Sequence, residues 1–126
     1  VETVFEKLYT FYGMRTLEEA DPEFHPYYEG AMEKRDMAYH QGTVWTFPLG
    51  AYYLAYLKVH AYSERAKQDV KEQLEVLECA LKEGCIGQLP EIYDGKNPVS
   101  SKGCFAQAWS VGELLRVYEQ IEKKKK

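Results

Sequence analysis

Apolar residues recur along this chain at intervals of three and four positions, and this spacing predicts four helices. The predicted helices cover residues 1–12, 44–62, 63–83 and 104–121. The second is apolar on nearly every side, so we expect it to be buried on most faces and to need partner helices from outside the chain. The third is amphipathic, with Lys and Glu on one side. Its apolar stripe consists of Ala66, Val70, Leu74, Leu77 and Leu81.

Residues that commonly begin or end helices mark the limits of these segments. Gly13 follows the first helix and Gly84 follows the third, where a left-handed residue often ends a helix. Pro48 fits the first turn of the second helix, where a missing N–H costs nothing. Ser63 or Glu64 begins the third helix. These limits support the helical assignment.

Two long segments without helical periodicity, residues 14–42 and 85–103, separate the helices. Loops of this length are uncommon in compact domains and are usually functional. No convincing alternation of polar and apolar residues indicates strands. Buried and amphipathic helices joined in this order are typical of a two-layer helical barrel with its site-forming loops at one end. We therefore predict an all-α fold in which residues 1–126 form a single segment.

The composition excludes some classes of partner. At 126 residues, 45% apolar and 29% charged, the chain has the size and type of an ordinary globular domain. Its net charge of −4 argues against nucleic acid, which requires a basic surface. The one basic cluster, Lys123–Lys126, is interpreted as a solvated tail. No run of about 18 apolar residues is present, so no membrane partner is predicted.

The three cysteines, Cys79, Cys85 and Cys104, are odd in number and form no C-x-x-C motif. Cys79 lies on an apolar helical stripe and is expected in the core. No histidine stands at metal-ligand spacing from the cysteines, so neither a metal site nor a cofactor is predicted. Without a disulfide framework, a reducing, cytoplasmic location is favoured.

The strongest candidate for chemistry lies in the second long loop. Glu91 directly follows Pro90, which fixes the backbone, in a stretch rich in Gly, Ser, Pro and Asn. A carboxylate held in this way could act as the general base of an inverting glycosidase, which uses two carboxyl groups. Alternatively, Glu91 caps the following helix or pairs with Lys102. Asp94, before Gly95, is interpreted as a turn residue.

Polar and aromatic residues at the starts of two helices are candidates for sugar binding. His40 and Gln41 could hydrogen-bond sugar hydroxyls, and Trp45 could stack under a pyranose ring. Gln107 and Trp109 occupy the corresponding position ahead of the last helix. The alternatives are a loop histidine bonded to the backbone, a core tryptophan, and polar residues that cap a helix.

Four strings carry a resemblance to a known family. They are GMRTLEEADPEFHPYYEG, YHQGTVW, GCIGQLPEIYDG and GCFAQAWS, and they occur in order over roughly residues 8–117. They resemble the C-terminal end of glycogen debranching enzymes, in the amylo-α-1,6-glucosidase catalytic region. The resemblance implies that residues 1–126 are the C-terminal part of an (α/α)6 barrel similar to that of glucoamylases, with about four helices.

The resemblance also implies a reaction. Family members hydrolyse α-1,6-glucosidic linkages at glycogen branch points, with inversion and without a metal or organic cofactor. By this resemblance Glu91 is the general base. The residues expected in the glucose pocket and beside the base are His40, Gln41, Trp45, Gln107 and Trp109. Many relatives carry Trp-Pro where this chain has Trp45-Thr46-Phe47-Pro48, and this difference bears on the shape of the pocket.

The general acid of the family lies on an earlier segment, and no position here matches it. We therefore expect the chain alone to be inactive, to need the remainder of a parent chain, and to self-associate through apolar surface. Glycogen or another branched α-glucan is the expected partner. Two other functions remain open, namely a non-catalytic carbohydrate-binding module and a helical scaffold that contacts protein partners.

Overall fold

The computed structural model describes residues 1–83 and 85–123, and they form a helical layer and a small sheet. The helices are α1 (Glu2–Lys7), α2 (Met32–Gln41), α3 (Pro48–Val59), α4 (Glu64–Glu78), a 3-10 turn (Cys79–Lys82) and α5 (Ala108–Glu122). The strands are β1 (Tyr9–Thr10), β2 (Gly13–Arg15), β3 (Val44–Trp45), β4 (Ile92–Tyr93) and β5 (Ser101–Lys102). Among the described helices, none is both long enough and apolar enough to span a membrane.

The three longest helices form where the periodicity predicts them. α3 begins with Pro48 in its first turn, as expected. α4 begins after Ser63, whose side chain accepts a hydrogen bond of 3.3 Å from the N–H of Ala66. The predicted α4 stripe from Ala66 to Leu77 is buried. Gly84, predicted to end this helix, lies outside the described residues, as do Lys124, Lys125 and Lys126 of the predicted basic tail.

The core lies between α3, α4 and α5 and extends to β2. Its members are apolar and almost completely removed from water, which is the main source of stability in a domain of this size. They are Met14, Leu49, Tyr53, Leu57, Ala66, Val70, Leu74, Leu77, Ala80, Leu89, Leu114 and Val117. α3 buries one face in this core, while Ala51, Ala55 and Val59 are exposed, so its expected burial on most faces is not met within this chain.

The sheet is antiparallel throughout, and its strands are neighbours in chain order from β1 to β5. β3 lies at the centre, where Val44 pairs with Arg15 and Tyr93, and Trp45 pairs with Met14 and Ile92. β2 lies at the start of the first long loop, β3 follows the end of that loop, and β4 lies in the second. The pairing of these strands therefore brings both long loops to the same sheet. The sheet therefore positions the segments from which the candidate site is built.

The prediction of an all-α fold of about four helices is wrong. The structure has five α-helices and a five-stranded sheet, with 51% of the residues helical and 9% in strands. The chain alone is thus not an all-α piece of an (α/α)6 barrel. The strands have only two or three residues each, so no alternation of polar and apolar positions could develop in the sequence.

Several local predictions also need correction. The first helix ends at Lys7 and not at residue 12, because the chain turns into the β1–β2 hairpin. The first long loop contains α2, which has a polar sequence and buries only Ala38. Cys79 is exposed and does not lie in the core. Trp109 is 47% exposed, so α5 does not bury the whole face that its sequence predicts.

Candidate functional site

Glu91 is held from two sides by donors from different parts of the chain. Its Oε1 accepts a hydrogen bond of 2.5 Å from the phenol of Tyr39, on the last turns of α2. Its Oε2 accepts one of 3.0 Å from the backbone N–H of Cys104. The Glu91 N–H in turn donates to the Cys104 carbonyl at 2.8 Å. The carboxylate is therefore fixed in orientation by one donor on each oxygen.

The close approach of Gly103 makes room for this carboxylate. A β-carbon at Gly103 would lie 2.4 Å from Glu91 Oε2 and 3.1 Å from a side-chain carbon of Ile92. Gly103 also has φ of +68°, a conformation that residues with side chains rarely adopt. A glycine is thus required at this position for Glu91 to keep its place.

An aromatic cluster continues from Tyr39. The Tyr39 ring meets Trp45 edge-on at 4.6 Å between ring centres, and Trp45 meets Trp109 at 6.2 Å. Trp109 stacks on Phe47 at 4.3 Å with only 21° between the ring planes. The Trp45 indole N–H donates to the hydroxyl of Thr43 at 3.2 Å. The structure therefore brings the two predicted tryptophans together, with one buried and the other half-exposed.

This aromatic cluster forms one wall of an open groove of about 780 Å³. Its lining comes from the first long loop with α2, from β3 and the residues that follow it, and from α1, α3 and α5. The residues are Val1, Val4, Leu8, Met14, Arg15, Thr16, Tyr39, His40, Trp45, Phe47, Pro48, Ala51, Tyr52, Ala55 and Trp109. A mostly apolar concave surface with a few convergent polar groups has the character of a ligand-binding site.

The six predicted site residues differ in their relation to this groove. His40, Trp45 and Trp109 line it. Glu91 is connected to it through the Tyr39 hydroxyl. Neither Gln41 nor Gln107 is among the lining residues. The backbone carbonyl of Gln41 accepts a hydrogen bond of 2.7 Å from the His25 N–H.

Gln107 is the residue that precedes α5, and its backbone N–H donates to the Leu89 carbonyl at 2.8 Å. Within the described residues its side chain makes no capping hydrogen bond. The expected polar cap at this helix start is therefore not formed by the Gln107 side chain.

The alternative roles considered for the carboxylates resolve differently. Lys102 faces Asp94 at 3.8 Å, whereas Glu91 takes its hydrogen bonds from Tyr39 and Cys104. Asp94 is buried and accepts a hydrogen bond of 3.0 Å from the Tyr28 N–H, so it ties the two long loops together. This is a larger role than that of a simple turn residue.

Tyr39 is the residue of this site that the sequence did not single out. It stands at the start of the YHQGTVW string, next to His40, but its contact with Glu91 spans 52 residues of sequence separation. Burial, followed by the hydrogen bond to Glu91, raises the pKa of Tyr39 from its ordinary value of 10 to about 12. The phenol is therefore a protonated donor at any pH at which a glycosidase works.

Metal-binding groups do not converge in the part of the chain that the structure describes. No three His, Cys, Asp or Glu side chains there lie close enough to share a metal ion. The cysteines Cys79, Cys85 and Cys104 are free thiols. The groove itself offers a phenol, an imidazole and aromatic faces, and the Glu91 carboxylate is hydrogen-bonded to that phenol, of Tyr39.

A hydrogen-bonded carboxylate beside an aromatic groove has the chemistry that a glycoside hydrolase needs. The chain belongs to the amylo-alpha-1,6-glucosidase family, because the model of that family matches residues 1–116. The resemblance to the catalytic region of glycogen debranching enzymes is thereby confirmed. None of the curated proteins matches the chain significantly.

Proposed function

We propose that this chain belongs to an enzyme that hydrolyses α-1,6-glucosidic branch points of glycogen or a similar α-glucan with inversion, and that Glu91 is its general base. Membership of the amylo-alpha-1,6-glucosidase family supports the reaction. The observation that carries the residue assignment is the pair of hydrogen bonds on the Glu91 carboxylate, from Tyr39 and Cys104.

The proposed step follows from the arrangement of this carboxylate. Each carboxylate oxygen has two acceptor positions, so Glu91 can still accept a hydrogen bond from a water molecule while both donors stay in place. As the water oxygen attacks the anomeric carbon, Glu91 takes up a water proton, and the bond from that carbon to the leaving sugar oxygen breaks. A second carboxyl group, the general acid, protonates the leaving oxygen.

The general acid is not assigned to a residue of this chain. We therefore propose that activity requires the remainder of a parent chain, as the family resemblance implies. Placing the acid elsewhere also agrees with the groove, whose polar lining includes Arg15, Thr16, Tyr39 and His40 but no carboxylate.

Substrate binding is proposed for the groove residues. The half-exposed Trp109, backed by Phe47, offers a flat aromatic face on which a glucose ring can stack. His40 lines the same groove and is proposed to hydrogen-bond a sugar hydroxyl. Gln41 and Gln107 remain predicted substrate ligands. Their side chains would have to reach a sugar that extends beyond the groove wall.

The test is Glu91→Gln in the complete protein that carries this chain, assayed on a branched α-glucan. We expect turnover to fall by roughly 10²–10⁴-fold, the usual contribution of a positioned general base. The amide keeps the size of the side chain. Its oxygen can accept from the Cys104 N–H while its NH2 group donates to the Tyr39 hydroxyl, so the fold should be retained. The released glucose should be the β-anomer, because inversion converts the α-linkage.

A matched control is Glu78→Gln, which changes another carboxylate that accepts a hydrogen bond from a tyrosine, Tyr118. It should leave turnover unchanged. Near-normal turnover of Glu91→Gln, or release of the α-anomer, would remove Glu91 from the proposed role. Glucan binding without turnover in the unaltered protein would favour a binding module, and neither binding nor turnover would favour a scaffold.

A further inference from the structure

We propose that Tyr39 is a positioning residue, which fixes the orientation of the Glu91 carboxylate and with it the direction from which Glu91 takes a proton from water. The inference rests on the proposed function of Glu91. It starts from the 2.5 Å hydrogen bond that the Tyr39 hydroxyl donates to Glu91 Oε1, which is the only one that another side chain donates to this carboxylate within the described residues.

The Tyr39 side chain is itself held in place. Its ring meets the Trp45 indole edge-on at 4.6 Å and lies 5.9 Å from the Tyr28 ring. Its backbone carbonyl accepts hydrogen bonds from the Thr43 hydroxyl at 3.1 Å and from the Trp45 indole at 3.4 Å. The phenol therefore cannot turn away from Glu91 without disturbing β3 and the aromatic wall of the groove.

The two donors on Glu91 complement each other. The Cys104 N–H fixes Oε2 from the backbone of the second long loop, and Tyr39 fixes Oε1 from α2. One donor alone would leave the carboxylate free to rotate about its last bond. With both, the plane of the carboxylate is set, and so is the direction in which its remaining acceptor positions face.

Tyr39 is also the residue that connects the groove with Glu91. It lines the groove, while its hydroxyl reaches the carboxylate. The phenol holds the carboxylate in this orientation only while it keeps the proton that it donates. The raised pKa of Tyr39 supports this reasoning, because the phenol does not lose its proton in the working range.

The other titratable groups around this pair are few and identifiable. His40 lies beside Tyr39 on α2, at 5.2 Å between ring centres. The Tyr28 ring also packs against Tyr39, and the Arg35 guanidinium lies over the Tyr28 ring, 6.0 Å from its centre. The Cys104 thiol donates to the Ala106 carbonyl. The Lys102 ammonium, on β5, faces Asp94. None of these groups is altered when the Tyr39 hydroxyl is removed.

The experiment is Tyr39→Phe in the complete protein, with kcat and KM measured on a branched α-glucan as a function of pH. We expect kcat to fall by about tenfold with KM nearly unchanged, since the base loses its orientation but the groove keeps its shape.

Tyr118→Phe is the matched control, because the Tyr118 hydroxyl also donates to a glutamate carboxylate, that of Glu78. It should leave kcat unchanged. If Tyr39→Phe does not fold, a fluorinated tyrosine at position 39 keeps the ring and ionises at a lower pH than tyrosine. Its kcat should then decline at a lower alkaline pH than that of the unaltered protein, because a phenolate cannot donate to Glu91.

The outcomes separate this inference from the proposed function. If Glu91→Gln abolishes turnover but Tyr39→Phe leaves kcat unchanged, Glu91 remains the base and the inference about Tyr39 is wrong. A rise in KM with unchanged kcat would likewise overturn it, because Tyr39 would then only bind substrate. If Glu91→Gln is fully active, the proposed function itself fails.

Discussion

At the scale of single residues, the site depends on how closely the backbone approaches Glu91. The proline before Glu91 and the glycine-rich loop around it single out this carboxylate in the sequence as the candidate base. The partners that hold it, Tyr39 and the Cys104 N–H, could not be identified in the same way. Both contacts depend on the sheet, which the sequence does not reveal.

Substitution of Gly103 tests this close approach. In Gly103→Ala the new β-carbon would meet Glu91 Oε2 at 2.4 Å and displace the carboxylate. We expect a loss of about 1–2 kcal/mol of stability from the left-handed backbone. We also expect a loss of roughly 10²-fold in turnover from the misplaced base. Thermal unfolding and glucan hydrolysis measure the two effects.

Gly87→Ala provides the control. Gly87 has φ of +77°, similar to Gly103, but an added β-carbon there would meet no atom within 4 Å. It should therefore show the loss of stability without the loss of turnover. Equal turnover in the two alanine variants would contradict the view that Gly103 makes room for Glu91.

At the scale of elements, the long helices were predictable and the strands were not. α3, α4 and α5 each have 12 to 15 residues, enough for an apolar stripe to repeat several times. α2 was missed because it buries a single alanine and has no stripe. The strands are held by backbone pairing and by the helices around them. A strand of two or three residues is too short for these contacts to produce a recognisable pattern in the sequence.

The contact between α3 and α5 is another close approach that can be tested. A β-carbon at Gly50 would lie 2.7 Å from the Glu113 β-carbon and 2.8 Å from its carbonyl oxygen. Gly50→Ala should push the two helices apart and cost about 1–3 kcal/mol, the range for overpacking a core. The free energy of unfolding in urea measures this cost.

Gly112 lies within α5, where an added β-carbon meets nothing within 4 Å. Gly112→Ala should therefore stabilise the protein by roughly 0.5–1 kcal/mol through its helix preference alone. The two alanine variants thus have opposite expected signs. A stabilised Gly50→Ala would show that α3 and α5 have more space between them than the structure gives.

At the scale of the whole molecule, buried tyrosines make the free energy of unfolding depend on pH in the alkaline range. Burial is the largest cause of a raised pKa in seven of them. These are Tyr9, Tyr39, Tyr52, Tyr53, Tyr56, Tyr93 and Tyr118. A phenol is neutral when protonated, so a raised pKa means that the folded chain keeps its proton where the unfolded chain, near pH 10, loses it.

We therefore expect the free energy of unfolding to hold its value below about pH 10 and to fall as the pH rises towards 12, where the Tyr39 phenol ionises in the folded state. Urea unfolding followed by circular dichroism at a series of pH values measures this. Tyr93→Phe should reduce the fall, since it removes a phenol whose pKa is raised by burial. Among the described residues the buried Tyr93 hydroxyl has no hydrogen-bond partner, so the substitution breaks no hydrogen bond there. A flat dependence across this range would contradict the prediction.

The pairing of β3 with β4 joins residues that are separated along the chain by all of α3 and α4. Closing so long a loop costs more conformational entropy than packing α3 against α4, which are joined by a short connection. We therefore expect the β3–β4 pairing to form after α3 and α4 have packed against each other. Strong base should disturb this pairing first, because the Tyr93 phenol lies on β4 and the Tyr39 phenol lies against Trp45 of β3. Indole fluorescence in the alkaline series should therefore change before the helical signal does.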